Sequence, residues 1–254
     1  MNNKELFTGK SDDYSRFRPS YPDAAVNFLY ERCPKARAAD VGAGTGIFTR
    51  CLLRRFNGVI AVEPNEDMRK KFSENLPDIS CLAAAGEATG IADKSIDLIT
   101  VAQAFHWLDE EKFKAEALRI LRPNGKVAII WNTSLKDDFT AARDAVCQKY
   151  CPRFRAGHAG KRSAAEGDHF LRNSYFKKVE VVSFPNPFTM DLEVYLGNMR
   201  SRSYALCPGD NDYEKFISGL RAVFEKFAVN GAVTEPQETR IYLGEFPDQE
   251  TENY

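Results

Sequence analysis

Asp40-Val-Gly-Ala-Gly-Thr-Gly46 joins a short apolar run, residues 38–41, to a stretch with helical patterning, residues 45–56. Glycines in alternate positions let a backbone turn sharply and approach a ligand where side chains would collide. Between a strand and a helix, at the carboxyl end of a parallel sheet, such a loop marks a binding crevice. Glycine spacing then discriminates among ligands. A dinucleotide loop calls for GxGxxG, whereas here the glycines fall at 42, 44 and 46 and position 47 is Ile, which disfavours a nicotinamide-dependent oxidoreductase. Glu63 closes the next apolar run, and an acid there can bridge two ribose hydroxyls through paired charge-assisted hydrogen bonds.

Outward from this loop, residues 59–62, 79–84, 96–102 and 127–131 read as further strands, each apolar on both faces and bounded by turn residues. Residues 66–75 and 109–121 read as helices between them; Phe113, Ala117, Leu118 and Leu121 recur at helical spacing, with Pro123-Asn-Gly125 as the expected stop. This alternation defines a doubly wound α/β fold, a parallel sheet covered on both faces. Ahead of it, Ser20-Tyr-Pro-Asp-Ala reads as the start of a helix over 23–32 with Pro22 just inside. After Trp131, helices are expected over 139–150, 164–173, 192–205 and 213–229, and strands over 179–184 and 239–245. The basic loop 153–162 is read as a mobile segment, with covering the cleft or binding an anion as alternatives. From Glu245 on the chain carries acids without Lys or Arg and reads as a frayed end.

Composition narrows the classes. With 254 residues, 43% hydrophobic and 28% charged, the chain can bury a sizeable core. Lys+Arg 35 against Asp+Glu 36 leaves a net charge of −1, which removes the usual basis for a broad nucleic-acid or acidic-membrane surface. No apolar run approaches the roughly 20 residues that span a bilayer, and the opening MNNKELFTGKSDDYSRF has no apolar signal region. A cytoplasmic location is the expectation, with six reduced cysteines. Cys147 and Cys151 are spaced as one helix turn rather than as a zinc clip, and the three histidines complete no metal constellation, so no metal is expected.

Taken together, these residues resemble the class I S-adenosylmethionine-dependent methyltransferases, in particular the small-molecule "type 11" branch that includes trans-aconitate methyltransferase relatives. The matching pieces are residues 40–46, Ala61-Val-Glu-Pro-Asn65 with Met68, Ala85-Gly-Glu-Ala88, Asp93-Lys-Ser-Ile-Asp-Leu-Ile99, Ala102-Gln-Ala-Phe-His-Trp107 and Leu121-Arg-Pro-Asn-Gly-Lys-Val127. They stand in family order across residues 36–132. The resemblance implies a Rossmann-like, mostly parallel seven-stranded sheet with an antiparallel last strand and an added helical lid. It implies one domain over 1–254: a cofactor-covering segment at 1–36, a cofactor-binding core at 37–135, and lid insertions with the last two strands at 136–254. The cofactor would be S-adenosylmethionine and the product S-adenosylhomocysteine. Gly42 and Gly44 would pass under its methionine part with Asp40 near the ammonium, while Glu63 holds the ribose. Pro64, Asn65 and Met68 would pack beside the adenine, with Glu87 and the Ala88 backbone at its edge. Ala102 and Gln103 would lie against the methionine and sulfonium. Tyr14-Ser-Arg-Phe-Arg-Pro-Ser-Tyr-Pro22 resembles the segment that folds over the cofactor, which brings in Tyr14 and Arg18. Met68 also suits a core position, and Asp97 reads as a structural acid at a strand edge.

The acceptor is expected to be a small molecule, with a carboxylic acid among the candidates. RNA, protein or lipid-quinone acceptors are the alternatives, as is a SAM-binding protein without catalysis. Neither nucleic acid nor membrane is an expected partner, and the oligomeric state stays open. A carboxylate or thiolate acceptor needs no base, whereas a hydroxyl or amine does. His106 is the candidate base, or else a structural histidine beside Trp107. Phe105 and Trp107 are either core aromatics or part of the acceptor site. Tyr195, Met199, Arg200 and Tyr204 share one broad face of the expected helix 192–205, where Arg200 could hold an acceptor carboxylate bidentately.

Overall fold

The computed structural model describes residues 9–156, 158–159 and 162–246. Helices α1 (Ser11–Phe17) and α2 (Asp23–Arg32) lead into β1 (Arg37–Val41), α3 (Ile47–Leu52), β2 (Gly58–Val62), α4 (Glu66–Asn75), β3 (Cys81–Leu82) and β4 (Ile96–Ala102). A 3-10 turn (Phe105–Trp107) precedes α5 (Glu110–Ile120), β5 (Leu121–Ser134) and α6 (Asp138–Tyr150). The hairpin β6 (His158–Ala159) and β7 (Arg162–Ser163) then leads to α7 (Ala164–Phe170) and a π-helical turn, Leu171–Tyr175. Last come β8 (Lys178–Pro185), β9 (Phe188–Met190), α8 (Leu192–Arg200), α9 (Tyr213–Phe227), β10 (Val233–Glu235) and β11 (Gln237–Glu245).

Seven strands form one sheet in the order β3-β2-β1-β4-β5-β11-β8. Pairing is parallel from β3 to β5, and β11 runs antiparallel to both β5 and β8. Strand periodicity divides the core between two faces, since successive residues point to opposite sides. On β5, Val127 and Ile129 join the layer of Phe105, Phe113 and Ile120, while Ala128 and Ile130 join that of Leu29, Phe48 and Leu52. A third cluster lies apart from the sheet, where α6, α8 and α9 enclose Phe139, Tyr195, Met199, Phe216 and Phe224. Among the described residues no helix is long and apolar enough to cross a membrane.

Several expectations shift in detail. Helix α5 stops at Ile120, because Leu121 already pairs with Ile96; Pro123-Asn-Gly125 forms the irregularity before Lys126 pairs with Leu98. Pro22 is the N-cap of α2 rather than its first residue. The run 79–84 contributes only the two residues of β3 to the sheet. Helix α8 ends at Arg200 rather than Ala205, where the Ser201 hydroxyl donates to the Asn198 carbonyl (2.6 Å) instead of the helix continuing. Helix α1 and the β9/β10 pair were not expected. Arg162 of the basic loop donates to Glu110 on α5 (3.0 Å) and lies over the Phe170 ring, which fastens that end of the loop; residues 157, 160 and 161 lie outside the described residues. At the end expected to fray, Glu245 completes β11 and Phe246 is buried, and residues 247–254 lie outside the described residues.

Close packing fastens α1 to α8. A Cβ built on Gly197 would lie 2.2 Å from the Phe17 ring. Gly197→Ala is therefore expected to destabilise the protein by about 1–3 kcal/mol, the usual range for overpacking. Gly167→Ala in α7 has open space around it and is expected to be neutral or stabilising by up to about 1 kcal/mol. Denaturant melts of the two variants check the pair.

Candidate active site

The glycine loop sits where β1 and β4 end. Gly42, Gly44 and Gly46 have φ of 71°, 56° and 87°, in the left-handed region that favours glycine. The turned loop directs the Gly42 and Ala43 N–H groups to the Val62 carbonyl (2.8 and 3.1 Å). At Gly42 a Cβ would stand 2.5 Å from Ala104 Cβ, so only glycine lets the loop close on β4.

Two buried acids organise the loop. The Glu63 carboxylate accepts from Gly44 N–H (2.9 Å) and from Asn65 N–H (2.8 Å). Burial raises its pKa, opposed by those two backbone hydrogen bonds. Asp40, 1% exposed, accepts from Thr49 Oγ1 (2.6 Å) and Thr100 Oγ1 (2.9 Å). Burial pushes it up to about 6, against the two hydroxyls that favour its ionised form and with the charge of Glu63 adding to the rise.

A cavity of about 40 Å³ lies over this loop, lined in part by Tyr14, Arg18, Asp40, Gly42, Gly44, Ala102 and Gln103. The segment from Tyr14 to Tyr21 folds over it. Tyr21 and Asn132 also line the cavity and were not expected. Gln103 has φ 57°, unusual for a side-chain-bearing residue, and is held by its N–H to Ile130 C=O (2.9 Å) and by Nε2 to Asn132 C=O (3.0 Å). A larger open depression of about 510 Å³ lies at Asp168, Arg172, Ser183 and Arg240, away from the glycine loop. Its arginines are already engaged by Asp168 and Glu238.

The remaining candidates divide. Asn65 caps α4 by accepting from Met68 N–H (3.0 Å), and Met68 is buried; with Pro64 they flank Glu63 outside the small cavity. Glu87 accepts from Asp109 N–H (2.9 Å) at the start of α5, and Ala88 N–H donates to Ala85 C=O, so both are engaged away from the loop. Phe105 is a core residue, edge-on to Phe113, Trp131 and Tyr175. Tyr195 and Met199 are each 1% exposed within the α6/α8/α9 cluster, not on an acceptor surface. Arg200, expected as an acceptor clamp, donates to Asp13 of α1 (2.9 and 3.3 Å) through Nε and Nη2. Tyr204 packs edge-on against Phe154, beyond the end of the helix.

His106 lies in the turn after β4, its ring 4.5 Å from Trp107. Its Nδ1 is buried without a hydrogen-bond partner. Burial first, and the charge of Arg18 second, lower its pKa to about 4. Arg18 donates through Nε to Ser201 Oγ (2.8 Å) and through Nη2 to Ser201 C=O (3.1 Å), with its guanidinium over the Tyr14 ring. Burial and the like charge of Arg202 lower its pKa to about 10. Among the described residues no group of three or more metal-ligating side chains occurs.

Residues 39–129 match the family model described as a methyltransferase domain. An uncharacterized methyltransferase of Mycobacterium tuberculosis is 39% identical over 120 residues, 47% of this chain and 49% of that protein. The malonyl-[acyl-carrier protein] O-methyltransferase of Methylococcus capsulatus is 34% identical over 101 residues, 37% of each chain. A solved structure of a putative type II methyltransferase from Anaeromyxobacter dehalogenans superposes with a TM-score of 0.64 at 24% identity, covering 90% of this chain and 96% of that one. The matched segment spans about half the length of the Mycobacterium relative. Residues 39–129 are thus similar to methyltransferase domains, whose methyl donor would be S-adenosylmethionine. The residues present suit that group. The buried Asp40 carboxylate suits the ammonium of such a ligand and the Glu63 carboxylate its ribose hydroxyls, and Gly44 has only the Tyr14 ring, 4.0 Å from where a Cβ would stand.

Affinity for S-adenosylhomocysteine is expected to fall as pH drops through about 6. Above that value Asp40 is ionised and attracts the ligand's ammonium; below it a proton must be displaced, which raises Kd by up to about tenfold per pH unit. Calorimetric titrations from pH 5 to 8 test this, and Asp40→Asn should flatten the profile.

Proposed function

We propose that the protein transfers the methyl group of S-adenosylmethionine to an ionised oxygen of a small carboxylic acid. The observation that carries this reading is the state of His106. With its pKa lowered to about 4 by burial and by Arg18, its imidazole is a weaker base toward a hydroxyl than a free histidine. An acceptor that arrives already ionised needs no such base. The Methylococcus relative is named for O-methylation of a malonyl group, which supports an oxygen acceptor.

When bound, the cofactor supplies an electrophilic methyl on sulfur. Transfer to a carboxylate oxygen breaks the sulfur–methyl bond, forms an oxygen–methyl bond and moves no proton, leaving a methyl ester and the thioether product. The protein's task is then alignment and exclusion of water. Glu63, with lone pairs left beyond its two backbone bonds, holds the ribose hydroxyls. Asp40, which lines the same cavity as the glycine loop, would hold the ammonium. Arg18 has Nη1 free of hydrogen bonds among the described residues and takes the cofactor's carboxylate, with Tyr14 stacked on its guanidinium. Gln103 and Ala102 bound the sulfonium side, and neutral His106 borders the acceptor.

Glu63→Ala is expected to weaken S-adenosylhomocysteine binding by at least about tenfold, 1.4 kcal/mol; unchanged affinity in a folded variant would remove the ribose assignment. For the acceptor, formation of S-adenosylhomocysteine and of methyl esters is followed over a panel of small carboxylic acids, alongside their alcohol and amine counterparts. His106→Ala is expected to keep ester formation within about tenfold of the parent, against the 10²–10⁴-fold typical of losing a general base. Turnover of alcohols alone, abolished by His106→Ala, would replace the carboxylate reading with base-assisted transfer.

A further inference from the structure

Three segments distant in the chain meet at one main-chain oxygen. The Ser20 carbonyl accepts from Asn186 Nδ2 (2.9 Å) and from Asn132 Nδ2 (3.2 Å). A carbonyl oxygen has two lone pairs, so both bonds form at once. The two amides are themselves joined: Asn186 Nδ2 also donates to Asn132 Oδ1 (3.2 Å), which takes the hydroxyl of the buried Thr239 as well (2.6 Å). Asn132 stands opposite Thr239 in the β5/β11 pairing, and Asn186, just past β8, is fixed by its N–H to the Gln237 carbonyl (2.8 Å). The anchor is the sheet, and what it holds is the connection between α1 and α2.

That connection walls the cavity over the glycine loop. Pro19 and Tyr21, on either side of Ser20, line it, and so does Asn132. Asn132 also serves the wall at the end of β4: its own carbonyl accepts from Gln103 Nε2 (3.0 Å), and Gln103 keeps its unusual φ of 57°. Position 132 calls for an amide, because one atom donates to Ser20 while the other accepts from Thr239 and Asn186. An irregular connection left to itself samples many orientations. Two amides on one carbonyl fix it before a ligand arrives, so that binding does not have to order it.

We propose that Asn132, together with Asn186, is a positioning residue for the methionine end of S-adenosylmethionine: the pair clamps the Ser20 carbonyl and so presets residues 18–21 over the cavity. This rests on the cofactor placement proposed above, in which Arg18 meets the cofactor's carboxylate and Glu63 its ribose. The consequence is selective. The clamp acts on the end that carries the carboxylate and the ammonium, and leaves the nucleoside end to Glu63 and the glycine loop.

The test titrates the full chain with S-adenosylhomocysteine and with 5′-methylthioadenosine, which keeps the nucleoside and thioether but lacks the amino-acid end. Asn186→Ala, which lies outside the cavity lining, is expected to weaken S-adenosylhomocysteine by about threefold to tenfold and 5′-methylthioadenosine by less than about twofold. Asn132→Ala should show the same selectivity. Because both amides act on one carbonyl, the double variant should lose less than the product of the two single losses. Asn132→Ala also leaves the Thr239 hydroxyl without its acceptor, whereas Asn186→Ala spares that bond, so the second variant decides if the first does not fold. A merely structural role would lower thermal stability or weaken both ligands alike and leave their ratio intact. The proposal is overturned if either folded variant keeps the parent's ratio of the two affinities. Failure of the parent protein to bind S-adenosylhomocysteine would instead remove the cofactor placement, and the role of the clamp with it.

Discussion

The Glu63 carboxylate spans the gap between two backbone segments, taking the Gly44 N–H on one oxygen and the Asn65 N–H on the other. A buried carboxylate needs donors, and a loop of left-handed glycines frees backbone N–H groups to be those donors. Each half of the arrangement therefore satisfies the other. Asn65, set in place by the same carboxylate, caps α4. Asp40 repeats the device one strand over, gathering Thr49 from α3 and Thr100 from β4. Through these two acids the carboxyl ends of β1, β2 and β4 and the starts of two helices form one unit, and the site rests on it.

A second unit is built across the cleft. Phe17 packs on Gly197, Asn198 donates to the Phe17 carbonyl, Arg200 holds Asp13, and Arg18 holds Ser201. The half-exposed Arg200–Asp13 pair adds little energy by itself, so most of the attachment comes from the buried aromatic contact and its hydrogen bond. These contacts tie α1 to α8 across the cleft beside the glycine loop.

Much of the fold was legible because hydrophobic periodicity is local. The runs around β1, β2, β4 and β5 are apolar on both faces, and only a sheet covered on both sides buries them. The glycine spacing and Glu63 were readable for the same reason, since a loop and the strand beside it lie close in the chain. Helix α1 escaped notice because its seven residues carry one buried side chain, Phe17, and its partner lies on α8. The strain at Gln103 also has no signal in the residue type.

What the amino-acid sequence determined by itself is the doubly wound sheet, the order of its parts and the glycine loop with Glu63 beside it, all set by local patterns and short-range geometry. Only the tertiary structure decided which polar side chains remain available. Arg200 and Arg202 look alike along the chain, yet Asp13, distant in sequence, pairs with the first, while the half-buried second donates to Asn198 and leaves its Nε without a partner. Phe105, Tyr195 and Met199 went to the core by the same logic. Burial, and then Arg18 from the other side of the cleft, lower the pKa of His106. Availability, burial and field are sums over neighbours, and neighbours exist only once the chain has folded.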